Sequence, residues 1–219
     1  THPIVVNTTP GTIAGIPSVC TGATTTLTNA TSGGTWTSSN ISIATVGSAT
    51  GVVSGVAAGV CNITYTLGGG CNTSISVTVN ASPNVSVFYP PTTTSICVGA
   101  GNTITVNSPS LGAATYTASY DLSGANTSTG NTATLVMGSS TGTFAIPSGL
   151  LTGIGATTTT ITTITNSLGC VSTLTTSNTA TFNVNALPSV YTVSGGGSYC
   201  TGGAGVHVLL SGSQTGVNY

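Results

Sequence analysis

Six cysteines, two histidines and one carboxylate are the side chains best equipped for chemistry in this 219-residue sequence. They are Cys20, Cys61, Cys71, Cys97, Cys170 and Cys200, then His2 and His207, then Asp121. Zinc sites take ligands from close pairs such as Cys-x-x-Cys, and no two of these cysteines are so spaced. A nucleophilic triad needs a histidine held between a carboxylate and a serine. Here the three groups are far apart along the chain, and His207 between Val206 and Val208 reads as an exposed strand residue. Glycoside hydrolysis needs two carboxyl groups, and there is one. The chain is therefore expected to be no enzyme, to hold no cofactor and to bind no metal. Widely spaced cysteines in a strand-forming chain point instead to structural disulfides in an oxidising compartment.

The rest of the composition narrows function further. There is no Lys and no Arg, and the formal net charge is −1. Nucleic-acid binding draws its affinity from cations that neutralise phosphates, so it is excluded. Arg forks for phosphate or carboxylate, lysine–asparagine cross-links and lysine Schiff bases are excluded with it. A lone Asp121 does not make a calcium site, which needs several oxygen ligands. No apolar run is long enough to cross a membrane as a helix. A Gly-, Ser- and Thr-rich chain invites a reading as disordered, but disordered chains are poor in β-branched residues and high in net charge. This one is rich in Thr, Val and Ile, which suit strands.

The elements that must position the cysteines come from a repeat. A strand followed by Asn, two residues and Pro occurs as Val5-Val6-Asn7-Thr8-Thr9-Pro10, as Val77-Thr78-Val79-Asn80-Ala81-Ser82-Pro83 and as Phe182-Asn183-Val184-Asn185-Ala186-Leu187-Pro188. A Cys-x-Gly follows each: Cys20-Thr21-Gly22, Cys97-Val98-Gly99 and Cys200-Thr201-Gly202. Pro fixes φ and disfavours helix at the residue before it, so each Asn-x-x-Pro is a short, semi-rigid linker. The expected organisation is a closing strand of a preceding repeat at 1–7, one repeat at 8–80, a second at 81–185, and the start of a third, incomplete repeat at 186–219. Within the repeats apolar and polar residues alternate, as in Ile63, Tyr65 and Leu67, then Ile75, Val77 and Val79. Period two with one polar face marks an antiparallel sheet packed on one side. Short strands at such intervals indicate sandwiches. The fold class is all-β: tandem immunoglobulin-like antiparallel β-sandwiches joined by short Pro-containing linkers.

Residues 34–67 carry a family likeness. Gly34-Thr35-Trp36-Thr37-Ser38-Ser39-Asn40, Ile43-Ala44-Thr45-Val46, the Gly51–Gly59 stretch and Ile63-Thr64-Tyr65 together resemble the bacterial Ig-like domain, group 2, found in giant surface adhesins. The resemblance implies a two-sheet Greek-key sandwich. The Cys-bearing units with Val-x-Val-Asn linkers are also similar to repeats of gliding-motility adhesins of gliding bacteria. Trp36, the only Trp, is expected to anchor the first core.

Each unit opens with one cysteine and closes with another just before its last strand. The expected bonds are Cys20 to Cys71 and Cys97 to Cys170, each closing a loop worth about 4 kcal/mol in the chain-entropy model. Cys61, on the face of Ile63, is expected to be a buried free thiol, and Cys200 to bond outside this stretch or between chains. The functional expectation is an extracellular, cell-surface structural repeat whose partners are neighbouring repeats or copies of itself, forming a rod or filament. Surface glycans are possible partners, and Asn-x-Ser/Thr sites occur at Asn7, Asn29, Asn40, Asn62, Asn72, Asn80, Asn84 and Asn126. Two alternatives stay open at this point. One is a carbohydrate- or surface-binding module using Phe88 and Tyr89, and the other is the spacer region of a large secreted enzyme.

Overall fold

Strands whose side chains alternate in polarity must hide one face, and this chain hides them in two separate cores. The computed structural model describes residues 6–216. His2 and most of the segment 1–7 lie outside the described residues. In the first unit the strands are β1 (Ile13–Ala14), β2 (Ser18–Cys20), β3 (Thr24–Thr26), β4 (Thr28–Asn29), β5 (Thr35–Ser38), β6 (Ala44–Val46), β7 (Val52–Gly55), β8 (Gly59–Thr66) and β9 (Asn72–Asn80). One sheet runs β2-β9-β8-β5 and the facing one β3-β7-β6, with β1 and β4 paired beside them. Between the sheets lie Val19, Leu27, Trp36, Ala44, Val53, Cys61, Ile63, Tyr65, Val77 and Val79.

Trp36 sits opposite Tyr65 in the β5–β8 register, their ring centroids 4.6 Å apart. The Tyr65 hydroxyl donates to Thr31 O and accepts from Gly34 N, both at 2.7 Å, so the ring's polar end is satisfied at the edge of the core. Gly51 closes the other side. Its φ of +68° is left-handed, and a Cβ there would strike Leu27 O and lie 3.1 Å from the Trp36 indole. Only glycine suits both the angle and the space.

The second unit holds β10 (Tyr89–Thr92), β11 (Ile96–Cys97), β12 (Asn102–Asn107), β13 (Thr115–Gly124), β14 (Ser128–Met137), β15 (Thr141–Ile146), β16 (Gly155–Thr165), β17 (Val171–Thr173) and β18 (Thr179–Asn185). Its hydrogen-bonded order is β10-β12-β15-β14-β13-β16-β18-β11, with β17 on β16. The β14–β15 pairing is only two residues long, at Val136↔Thr143 and Met137↔Gly142. It is the corner at which one continuous sheet folds over to face itself. Ile104, Val106, Phe144 and Ile146 from one arm join Tyr120, Leu122, Ile161, Ile164, Phe182 and Val184 from the other in a single buried cluster. Beyond it, β19 (Val193–Gly195) and β20 (Val208–Leu210) pair as a hairpin whose apolar side chains stay exposed.

The architecture is all-β and immunoglobulin-like. One 3-10 turn (Ser148–Leu150) is the helical content among the described residues. The sheets are antiparallel with one parallel edge in each unit, which the sequence pattern does not reveal: β2 with β9, and β11 with β18. Those two edges position the cysteines.

The second core also buries threonines. Thr157 and Thr159 point inward from β16 in line with Ile161, and the Thr159 hydroxyl has no hydrogen-bond partner. A buried hydroxyl without a partner costs its desolvation. Thr159→Val, which exchanges that hydroxyl for a methyl, is expected to stabilise the second unit by about 1 kcal/mol. Denaturant titration checks this, and a loss of stability would show that the hydroxyl is satisfied.

Candidate functional site

The cysteines fall into two turn types, each repeated. In the opening turns, Ala23 N donates to Cys20 O, Ala100 N to Cys97 O and Gly203 N to Cys200 O, at 3.0, 3.1 and 2.9 Å. The third residue of each is a glycine with φ of 81°, 84° and 83° at Gly22, Gly99 and Gly202. A positive φ at that position is what makes glycine necessary in such a turn. In the closing turns, Leu67 N donates to Cys71 O and Asn166 N to Cys170 O. Gly70 and Gly169 precede the two cysteines at φ of 84° and 79°. Cys71 and Cys170 therefore occupy the same position in their units, as do Cys20 and Cys97.

The parallel edges bring the two halves of the repeat signature together. Cys20 is in register with Asn80, and Cys97 with Asn185. The residue after each cysteine donates its amide to the paired asparagine's carbonyl: Thr21 N to Asn80 O at 2.9 Å, and Val98 N to Asn185 O at 2.8 Å. The Asn of each Asn-x-x-Pro thus pairs with the Cys that opened the same unit.

The bond found is Cys20–Cys170, between residues 150 positions apart with Cα atoms 5.5 Å apart. It joins the first sandwich to the second. The expected pairs Cys20–Cys71 and Cys97–Cys170 are not formed, and strand geometry explains why. Cys20 lies at the Asn80 end of β9, whereas Cys71 precedes its other end at Asn72. A strand of that length spans about 30 Å, far beyond the roughly 7 Å a disulfide tolerates between Cα atoms. In the second unit Cys97 lies at the Asn185 end of β18, beside Gly155 of β16, while Cys170 precedes β17, which pairs with the far end of β16 at Thr165.

Around the bond the linker is held at Asn80, Ala81 and Pro83. Cys170 is fully buried, with Sγ 3.9 Å from Asn80 O. Asn166 Nδ2 donates to Ala81 O at 2.9 Å, and Ser172 Oγ to Pro83 O at 2.6 Å. Asn80 Nδ2 donates to Ser18 Oγ at 2.8 Å. The Pro-containing segment is a clamped joint in place of a semi-rigid linker.

The other candidates are scattered. Cys61 is buried in the first core as a free thiol, its sulfur accepting from Ser38 Oγ at 3.9 Å, while Cys71, Cys97 and Cys200 are free and at least partly exposed. Asp121 accepts from Gly130 N at 2.7 Å within the β13–β14 hairpin, and His207 lies exposed just before β20. Phe88 packs on the second core, leaving Tyr89 half exposed beside it. Burial pushes the Tyr120 hydroxyl above its ordinary value of 10.0. That ring packs tilted against Phe144, with centroids 5.2 Å apart, as a core residue. Asn126 is buried, both ends of its amide bonded to Gly153 and its Nδ2 also to Thr157, so it leaves no room for a glycan. Gly138-Ser139-Ser140-Thr141-Gly142 has the spacing of a hydrolase nucleophile turn, but it links two antiparallel strands, with no helix behind the serine. Among the described residues no three His, Cys, Asp or Glu side chains cluster.

Residues 17–79, essentially the first sandwich, match the family model of the bacterial Ig-like domain, group 2. No curated protein matches the sequence. Among solved structures, domains 4 and 5 of the S-layer protein SbsC align over 82% of this chain and 100% of theirs, at 14% identity and a TM-score of 0.35. A three-domain segment of titin aligns over 81% of this chain and 67% of its own, at 13% and 0.41. A protocadherin gammaB7 ectodomain fragment aligns over 86% and 50%, at 11% and 0.31. Likenesses this distant carry no argument about function.

The cross-joint bond has an energetic consequence for the first unit. Because the Cys170 hairpin is anchored on Asn80, Ala81 and Pro83, bonding Cys20 to it ties the first unit's opening strand to its own closing strand. While the second unit is folded, the effective loop is roughly 60 residues, worth about 4 kcal/mol. Cys170→Ser is therefore expected to destabilise the first unit, although the residue lies outside it, by about 2–4 kcal/mol. The emission of Trp36 reports that unit alone, and an unmoved unfolding midpoint would refute the coupling.

Proposed function

We propose that this chain is a structural, non-catalytic stretch of an extracellular bacterial surface filament or adhesin. Its units are 8–80 and 81–185, with 1–7 closing a preceding unit and 186–219 opening a following one. Neighbouring repeats or copies of itself are its partners. The observation that carries this reading is the Cys20–Cys170 bond, which couples one sandwich to the next. Such a bond lasts only in an oxidising compartment. The family match over 17–79 supports a bacterial source. The exposed apolar faces of β19 and β20 support a further unit that covers them.

The staple changes how the array carries load. Pulled between Asn7 and Asn185, an unstapled chain unfolds both sandwiches and lengthens toward about 600 Å over roughly 180 residues. With Cys20 joined to Cys170, everything between those two residues is bypassed. The covalent route is then roughly 30 residues and at most about 100 Å. Single-molecule pulling between these points is expected to show the short limit when oxidised and the long one after reduction. Equal contour lengths in both conditions would sink the mechanical role.

Negative-stain images of the native polypeptide are expected to show a regular rod or polymer of beaded units. A compact single particle would overturn the filament reading.

A further inference from the structure

The free cysteines Cys97 and Cys71 repeat the surroundings of the bonded pair. Cys97 is in register with Asn185 as Cys20 is with Asn80, in the same glycine turn and with the same amide-to-carbonyl bond after it. Cys71 occupies the same hairpin turn as Cys170, and its Sγ lies 3.9 Å from Asn7 O, the distance of Cys170 Sγ from Asn80 O. Asn7 Nδ2 donates to Gly69 O at 3.1 Å, so this hairpin already grips an Asn-x-x-Pro segment as the Asn166–Cys170 hairpin grips the next.

We infer that the array is stapled at every joint, each opening cysteine bonding the closing cysteine of the unit that follows in the same polypeptide. This rests on the reading of the chain as a tandem array. Cys20–Cys170 is one rung. Cys97 bonds the Gly-Cys hairpin of the unit docked on Asn185, and Cys71 bonds the Cys-x-Gly turn that opens the unit preceding Pro10. Cys200, in the third opening turn, begins the next rung. Cys61 takes no part, being buried inside a core. Each rung forms from two thiols, which lose two protons and two electrons as the S–S bond is made. A disulfide of a thiol oxidoreductase accepts both electrons by exchange and leaves as two thiols carrying the two protons. The exposure of Cys97 and the partial exposure of Cys71 leave both open to that exchange.

The test is disulfide mapping of the native full-length polypeptide, isolated in N-ethylmaleimide and cut with pepsin in acid, where exchange stops. The peptide bearing Ile96–Val98 is expected to be linked to one in which Cys follows Gly, from a unit after Asn185. The peptide bearing Cys71 is expected to be linked to a Cys-x-Gly peptide from a unit before Asn7. Maleimide on Cys97 or Cys71, a Cys71–Cys97 link, or the within-unit pairs Cys20–Cys71 and Cys97–Cys170 would overturn the inference. Cys97→Ser in the full-length chain is expected to leave Cys20–Cys170 intact and to add one maleimide-reactive thiol per chain, and no added thiol counts against the rung. A fall in apparent size on reduction in denaturing gels would show bonds between chains and overturn the same-polypeptide assignment. If the links map as stated while the native material images as a compact particle, the filament reading falls and the staple stands.

Discussion

The parallel edge between the opening and closing strand of each unit is the constraint on which the other features depend. It sets Cys20 beside Asn80 at the very point where the chain leaves the first sandwich. A cysteine placed there cannot reach a partner at the far end of its own unit, but it meets whatever docks on the exit. The second unit's hairpin docks on that exit, with Asn166 and Ser172 taking up the carbonyls of Ala81 and Pro83. The disulfide is then a consequence of where the strand ends, and the coupling between units follows from the disulfide.

A chain with almost no charge has few other ways to hold units together. Tandem domains commonly meet through polar interfaces of modest area, and ion pairs are unavailable to a sequence without Lys, Arg or Glu. What remains is apolar burial inside each sandwich, hydrogen bonds from Asn, Ser and Thr, and sulfur. The joint uses the last two. Its hydrogen bonds are neutral ones, each adding only about 1 kcal/mol net, so they orient the hairpin more than they secure it. The covalent bond supplies the permanence. The absence of Lys and Arg also leaves this sequence without a cleavage site for trypsin-like proteases.

Much of the fold was legible because alternation is a local signal. Ile63 and Tyr65 on β8, or Val77 and Val79 on β9, declare their buried face within a few residues, and Trp36 announces a core. The repeat signature was legible too, since Asn-x-x-Pro and Cys-x-Gly recur in fixed order. The partner of each cysteine was not. Pairing depends on the direction in which the opening strand runs against the closing one, and a parallel edge of two or three residues leaves no periodic trace. Reading the first and last cysteine of a unit as neighbours assumes an antiparallel edge, and reversing that one strand moves the partner into the next unit. The corner at Val136 and Met137, which turns two facing sheets of the second unit into one folded sheet, is hidden for the same reason.

A staple across the joint also bears on how such an array assembles correctly. Tandem units of similar sequence are prone to pairing with the wrong neighbour, because each offers the others equivalent edges. A bond within one unit would form whether or not the next had docked. The bond between Cys20 and Cys170 requires the β2–β9 edge to be complete, the Asn166–Cys170 turn to be folded and the hairpin to be seated on Ala81 and Pro83. Sulfur chemistry therefore reports on tertiary and inter-unit structure together, and a misdocked unit keeps its thiols open to further exchange. In a chain that lacks charge patterning to tell one neighbour from another, oxidation of the correct pair is what distinguishes a finished joint from a mistaken one.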